Sequence, residues 1–360
     1  MKIGILTRRY GYNHGSSLQA LAMSYIVREM GYEPEIINYD ESSVHPLWKI
    51  KPIIDHLFYP IRFLLPRNKR TYLKKRIKQE RRFKQFELKY FPLSEEHITS
   101  RKQLSDIVKK YHKILIGSDQ IWSPLLYDPN YFGAFTEDKE KLIPYAPSLG
   151  VADINLINDS MKELLRELQI VSCREKEGAE ILMEITHKPV PVVLDPTLIV
   201  SRNNWVEIAK MHPVQQLPDN YILTYYLGKE VHQKIVDKMH EETGWPIINI
   251  AMFNRINSLN ASQHITDLGP GEFLNLIQNA NHVFTDSFHA SIFAWIFERQ
   301  FTIFERFKSN DKDNQNSRIY TLIRILGCEE RLWGNIQNGS HLSFEAEKEK
   351  SWDYLKQSLV

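Results

Sequence analysis

The chain alternates short apolar runs with stretches of helical period, and it does so in two successive series. That order predicts parallel sheets covered by helices, because a strand followed by a helix returns beside its predecessor. Residues 2–7 read as a buried strand. A loop bearing glycine and asparagine follows, then a helix over 17–30 that Gly31 can close, and a strand over 35–39. Further strands are predicted at 113–117, 142–146, 170–173 and 192–194. Asp195-Pro196-Thr197, ahead of a helix over 204–211, reads as the junction to the second series. There strands fall at 221–227, 246–250, 282–285 and 301–304, with helices at 231–242, 271–279 and 288–298. A last amphipathic helix over 344–358 carries Trp352, Tyr354 and Leu355. The expectation is an α/β fold of two Rossmann-like, doubly wound domains, 1–198 and 199–340, facing a cleft, with 341–360 packing back as a helix. Ligands then fall at the carboxyl ends of the strands.

Composition narrows the class. With 42% hydrophobic and 25% charged residues the chain can pack a core. No apolar run approaches the ~18 residues that span a bilayer. The start meets Arg8-Arg9 too early for a signal-peptide core. Cys173 and Cys328 make neither a disulfide framework nor a zinc finger, so a cytoplasmic location is expected. A net charge of +2 hides an asymmetry: twelve Lys or Arg lie between Arg62 and Lys89 against Glu80 and Glu87, and the remainder is net acidic. This insertion, 45–90, includes a long helix near 72–90 and interleaves its basic residues with Trp48, Phe58, Phe63, Tyr72, Phe83 and Phe86. Such a pattern suits an anionic membrane surface, which would make the protein peripheral on the inner face of the cytoplasmic membrane. It equally suits a charged helix packed on its own domain. Nucleic acid is not expected, since no helix-turn-helix, zinc or RNA-binding motif is present.

Four loops at strand ends carry the chemistry. Gly11-Tyr12-Asn13-His14-Gly15-Ser16-Ser17-Leu18-Gln19 runs into a helix amino terminus, where amides can approach an anion or a sugar hydroxyl. It can also be a plain turn capped by Ser16 or Ser17. Gly117-Ser118-Asp119-Gln120-Ile121-Trp122 brings together a carboxylate, an amide and an indole, as a sugar requires. Alternatively Asp119 caps a helix and Trp122 fills the core. In Ser172-Cys173-Arg174-Glu175 an arginine leaves a strand just before a helix, where its fork can hold phosphate or carboxylate, or merely pair with Glu175 at the surface. In Thr285-Asp286-Ser287-Phe288-His289 a histidine sits in the first turn of a helix, near anions and close to its switching range. Asp311-Lys312-Asp313, in the polar stretch 308–317, is too crowded with Lys and Asn to suggest a divalent metal.

These stretches stand in order with Tyr145-Ala146-Pro147-Ser148-Leu149-Gly150, Leu194-Asp195-Pro196-Thr197 and Asn316-Ser317-Arg318-Ile319. In this the chain resembles the polysaccharide pyruvyl transferase family over residues 1 to about 335, with Ala290 where many relatives have Gly. The resemblance implies a fold like the B-type glycosyltransferases, phosphoenolpyruvate as donor co-substrate, and a glycan hydroxyl pair, free or on a lipid-linked oligosaccharide, as acceptor. It implies His289 as catalytic histidine and Arg174 as the phosphoenolpyruvate-binding arginine. Asp119 is the candidate for orienting or deprotonating the acceptor from across the cleft. Candidates for substrate contact are Asn13, Gly15, Ser16, Gln19, Ser118, Gln120, Trp122, Ser148, Asp286, Ser287 and Arg318. The acceptor is expected on the 1–198 side and the donor on the 199–340 side, with no metal or other cofactor. The rivals are a nucleotide-sugar glycosyltransferase of the same fold and a non-catalytic glycan-binding member of a polysaccharide assembly complex.

Overall fold

The computed structural model describes residues 1–9, 11–41, 54, 57, 59–60, 62–252, 259–308, 311, 314–334 and 342–360. Two parallel sheets organise it. The first holds β1 (Lys2–Leu6), β2 (Glu33–Ile36), β3 (Lys113–Ile116) and β4 (Leu142–Pro144) in the order β2-β1-β3-β4. The second holds β5 (Ile222–Tyr225), β6 (Ile247–Ile250), β7 (Gln263–Ile265), β8 (His282–Thr285) and β9 (Gln300–Ile303) in the order β7-β6-β5-β8-β9. Every described pair of strands is parallel. The central strands read as near-continuous apolar runs because helices cover both faces.

Helix α1 (His14–Glu29) begins three residues before the expected start, because the Asn13 side chain accepts the amides of Gly15 and Ser16 and caps it. Neither Ser16 nor Ser17 is the cap. The expected strands at 170–173 and 192–194 reduce to a single bridge, Cys173 to Val192. Pro189 and Pro191, just ahead of Val192, can donate nothing to a longer ladder. β7 was not expected, since only Ile265 in it is buried.

The described part of the basic insertion bears on the packed-helix alternative. Residues 42–53, including Trp48, and Phe58 lie outside the described residues. The long helix α2 (Arg67–Tyr90) buries Leu73, Ile77, Phe83 and Phe86 against the protein itself. Arg82 reaches Glu272 at 3.2 Å, Lys78 reaches Asp267 at 2.6 Å, and Arg9 reaches Glu87 at 3.0 Å. The helix therefore ties the first-sheet side to the second, and its aromatic stripe is occupied internally. Among the described residues no helix is long and apolar enough to cross a membrane. The last helix, α12 (Phe344–Leu359), lies against the first half: the Tyr354 hydroxyl donates to the Pro144 carbonyl at 2.7 Å and Ser351 Oγ accepts the Leu194 amide at 2.9 Å.

Candidate active site

Loops after β1, β3, β4 and β8 converge with those around Arg174 and Asp195. His289 occupies the second position of α10 (Phe288–Ile296), which Ser287 caps by accepting the Ala290 amide. Its imidazole lies against α1: a Cβ at position 15 would come within 2.2 Å of His289 Nδ1, so only glycine fits there. Its Nε2 is buried, has no hydrogen-bond partner, and stands 3.5 Å from the Asp195 carboxylate.

Asp195 is the hub. Its Oδ2 accepts from Arg174 Nη1 at 2.7 Å, while its Oδ1 accepts the Thr197 amide and hydroxyl at 3.0 and 2.6 Å. Burial opposes its charge, but His289, Arg174 and Thr197 outweigh burial and hold the carboxyl far below the usual range. Asp119 lies 3.7 Å from Arg174 Nη2 and accepts from the Ser16 hydroxyl. It too is held below its ordinary value: burial opposes the charge, and Arg174, His289 and Ser16 together prevail. Asp119 therefore stands beside Arg174 and not across a cleft from it. Arg174 and Glu175 are both buried, so they are not a surface pair. The Arg174 guanidinium lies 4.3 Å over the Phe288 ring, and its Nε and Nη2 have no hydrogen-bond partner.

Two more arginines complete the cluster. Arg318, second residue of α11 (Ser317–Leu326), donates to the Gln315 carbonyl at 3.2 Å and side chain at 3.3 Å. Among the described residues it makes no ion pair. Burial, then the like charges of Arg306 and Arg174, push it down from 12.5 to about 9. Arg306 donates to the Asp286 carbonyl at 2.9 Å and leaves its buried Nε without a hydrogen bond. Three guanidiniums, of which Arg174 and Arg306 have unfilled buried donors, thus cluster with His289 near the amino ends of α1, α5 (Lys176–Thr186), α10 and α11. Such a setting attracts a small, multiply charged anion.

Several expected contacts are committed elsewhere. Trp122 is a core residue, fully buried, with its indole N–H on the Tyr131 carbonyl at 2.8 Å. Gln19 is spent on Thr7, Arg8 and Ser16 and accepts the Ser118 amide. Ser118 donates to the Ala146 carbonyl, and Ser148 donates to Glu175 Oε1, which also accepts the amides of Leu149 and Gly150. Asp286 accepts the amides of Leu227 and Gly228, and Asn13 and Ser287 are caps. Gln120 reaches the cluster through Gln315 at 2.8 Å. Asp195 and Arg306 were missed. Asp195 reads as a turn residue, and Arg306 stands in a coil whose only signal is its closeness to Asn316-Ser317-Arg318. Among the described residues no group of His, Cys, Asp or Glu is arranged to hold a metal ion.

Two parallel sheets whose loops meet over a buried basic site define an α/β protein of the B-type glycosyltransferase architecture. In keeping with this, the UDP-GlcNAc 2-epimerase from Neisseria meningitidis bound to UDP-GlcNAc superposes with a TM-score of 0.52 at 10% identity, covering 99% of this chain and 100% of that one. The ADP-heptose lps heptosyltransferase II of E. coli matches more loosely, with a TM-score of 0.40 at 12% identity over 100% of this chain and 98% of that one. No curated protein matches the chain significantly. The family model described as polysaccharide pyruvyl transferase matches residues 13–306. The chain belongs to the polysaccharide pyruvyl transferase family.

Proposed function

We infer that this protein transfers the pyruvyl group of phosphoenolpyruvate to two hydroxyls of a glycan, forming a pyruvate ketal in surface-polysaccharide biosynthesis. The observation that carries the reading is the set of unfilled guanidinium donors on Arg174, which shares Asp195 with His289, and on Arg306. An unpaired buried donor costs about 1–3 kcal/mol, and phosphate and carboxylate oxygens would satisfy several at once. Arg174, Arg306 and Arg318 hold those oxygens. His289 Nε2 gives its proton to the methylene carbon of the enol, and the Asp195 carboxylate supports the imidazolium form before transfer. One sugar hydroxyl bonds to the carbon bearing the carboxylate, and its proton restores His289. The bond from that carbon to the phosphate oxygen then breaks as the second hydroxyl closes the ring. Phosphate leaves with the second hydroxyl's proton. Asp119, kept ionised beside Ser16, orients the acceptor.

Phosphate release from phosphoenolpyruvate across galactosides, glucosides and mannosides tests the scheme. Thermal stabilisation by phosphoenolpyruvate and by nucleotide sugars, offered separately, separates it from its nearest rival. Stabilisation by a nucleotide sugar alone would favour a glycosyltransferase. A peripheral position at an anionic membrane face belongs to the same reading. Leu57, Phe63 and Leu64 are exposed ahead of α2, and Lys74, Lys78, Arg81 and Lys84 are exposed along it. Salt-sensitive binding to phosphatidylserine vesicles is expected, and indifference to them at low salt would refute it.

A further inference from the structure

A cavity lies one residue along α1 from the Gly15–His289 contact. It encloses about 240 Å³ at the carboxyl ends of β5, β6 and β7, with Tyr225, Ala251 and Thr266 in its wall. Tyr12 and His14 close it from the loop after β1, and Arg76 and Gln79 of α2 form its roof. A void of this size is below the 300–1,000 Å³ of sites for drug-sized ligands, so it suits a single ring.

Its lining describes that ring. Tyr12 is held at φ +55, a conformation that a bulky residue rarely adopts, and Gly11 before it is at φ +91. The Arg76 guanidinium lies 4.5 Å over the Tyr12 ring, which fixes the ring's orientation. His14 stacks on Phe273 at 4.7 Å between centroids, and its buried Nδ1 has no partner. Thr266 is also buried, and its hydroxyl has no partner. The His14 ring packs on Phe273 and Phe83 and the Tyr12 ring under Arg76, so the wall offers aromatic edges with unsatisfied neutral hydrogen-bonding groups between them, which match the hydroxyl edges of a pyranose.

We propose that this cavity is the acceptor subsite, holding one hexopyranose ring of the glycan between Tyr12, His14, Gln79 and Thr266 and presenting it to His289. This rests on the pyruvyl-transfer reading for the identity of the acceptor, but not for the existence of the site. The insertion then has a role of its own, because α2 supplies Arg76 and Gln79 and so selects the sugar. The subsite adjoins the reacting centre, because Gly15, next in the chain to His14 of its wall, is the residue on which the His289 ring packs.

Saturation-transfer NMR with the methyl pyranosides of galactose, glucose and mannose tests this on the full chain, with phosphoenolpyruvate-induced thermal stabilisation measured in parallel. At least one pyranoside should bind the unmodified protein saturably. Ala251→Phe, which fills the void, should abolish that binding. Thr266→Val, nearly isosteric, should weaken it about three- to tenfold. Neither change should alter stabilisation by phosphoenolpyruvate. Thr266→Val keeps the test decisive if Ala251→Phe fails to fold. Binding of no pyranoside, or equal binding by well-folded variants, overturns the subsite even where phosphoenolpyruvate binds. Loss of sugar binding in both variants with no response to phosphoenolpyruvate supports the subsite and refutes the donor reading instead.

Discussion

Replacing Arg318 with Met should stabilise the ligand-free protein and weaken its hold on phosphoenolpyruvate. The Arg318 guanidinium is buried without an ion-pair partner among the described residues, next to Arg306 and Arg174. Burial and those like charges lower it from 12.5 to about 9. At about 1.36 kcal/mol per pKa unit, the charge costs of order 5 kcal/mol in the empty site. The sign follows from the lowered value: the cost is present below about pH 9 and is relieved as the group loses its proton above it. Two hydrogen bonds to Gln315 return about 1 kcal/mol each. Removing a buried charge in favour of an apolar side chain of similar length should therefore raise stability by about 1–3 kcal/mol. The bound anion is what that cost is held for, so Arg318→Met should lose about 1.5–3 kcal/mol of donor binding, roughly tenfold to a hundredfold in Kd. Urea unfolding at neutral pH reads the first quantity and calorimetric titration with phosphoenolpyruvate the second. A variant that is destabilised and binds phosphoenolpyruvate normally would show that Arg318 serves only to fix Gln315, and the argument would fail.

His289→Ala should lower the maximal rate about 10²-fold or more while leaving donor affinity within a few-fold, as steady-state kinetics and donor-only calorimetry would show. Arg174→Ala should lose donor binding and also about 3–5 kcal/mol of stability, because Asp195 and Asp119 are left buried without their cation; Arg174→Lys should recover stability better than affinity, since an ammonium lacks the fork. The stability advantage of the native chain over Asp195→Asn should be full above the unfolded carboxyl value of about 3.9 and shrink as pH falls below it, because the native value is lowered; equal differences in urea unfolding at neutral and strongly acid pH would sink the ion-pair account. Turnover should survive EDTA, since His289 and the arginines carry every step of the scheme; loss in EDTA restored by magnesium would call for a metal-assisted transfer.

Much of the fold could be read from the alternation itself. His282–Thr285 was expected at its observed bounds, and β1, β3, β5, β6 and β9 within three residues, because each is an apolar run between turn-forming residues. The segments that failed are those where local pattern and pairing disagree. Val171 and Val192 look like strand residues, but the prolines at 189 and 191 leave only the Cys173–Val192 bridge. β7 is a strand only because β6 offers it an edge. α2 was legible as a helix, but its partners are distant in the chain: its aromatic face meets Tyr12, His14 and His212, and Arg82 meets Asp267 and Glu272, some 185 to 190 residues away.

The site shows a sharper division, set by how helices begin. The residues nearest each helix start were expected to meet substrate, yet those at the cap itself are spent on the chain: Asn13 and Ser287 take the amides of their own helices, and Asn316 takes those of Arg306 and Phe307. Two residues past the cap, a side chain leaves the same electropositive helix end with no amide to satisfy. His289 and Arg318 both stand at that second position, and Gly15 stands there in α1, where its missing side chain admits the His289 ring. Cap chemistry is local and therefore visible in sequence as Asn, Ser or Asp. The counter-charge that completes such a site is not local: Asp195 reaches Arg174 across 21 residues and stands 3.5 Å from His289. Asp195 does both: its Oδ1 caps the short helix Pro196–Ile199, a local role, while only the packing of the two sheets brings its Oδ2 to Arg174 and His289.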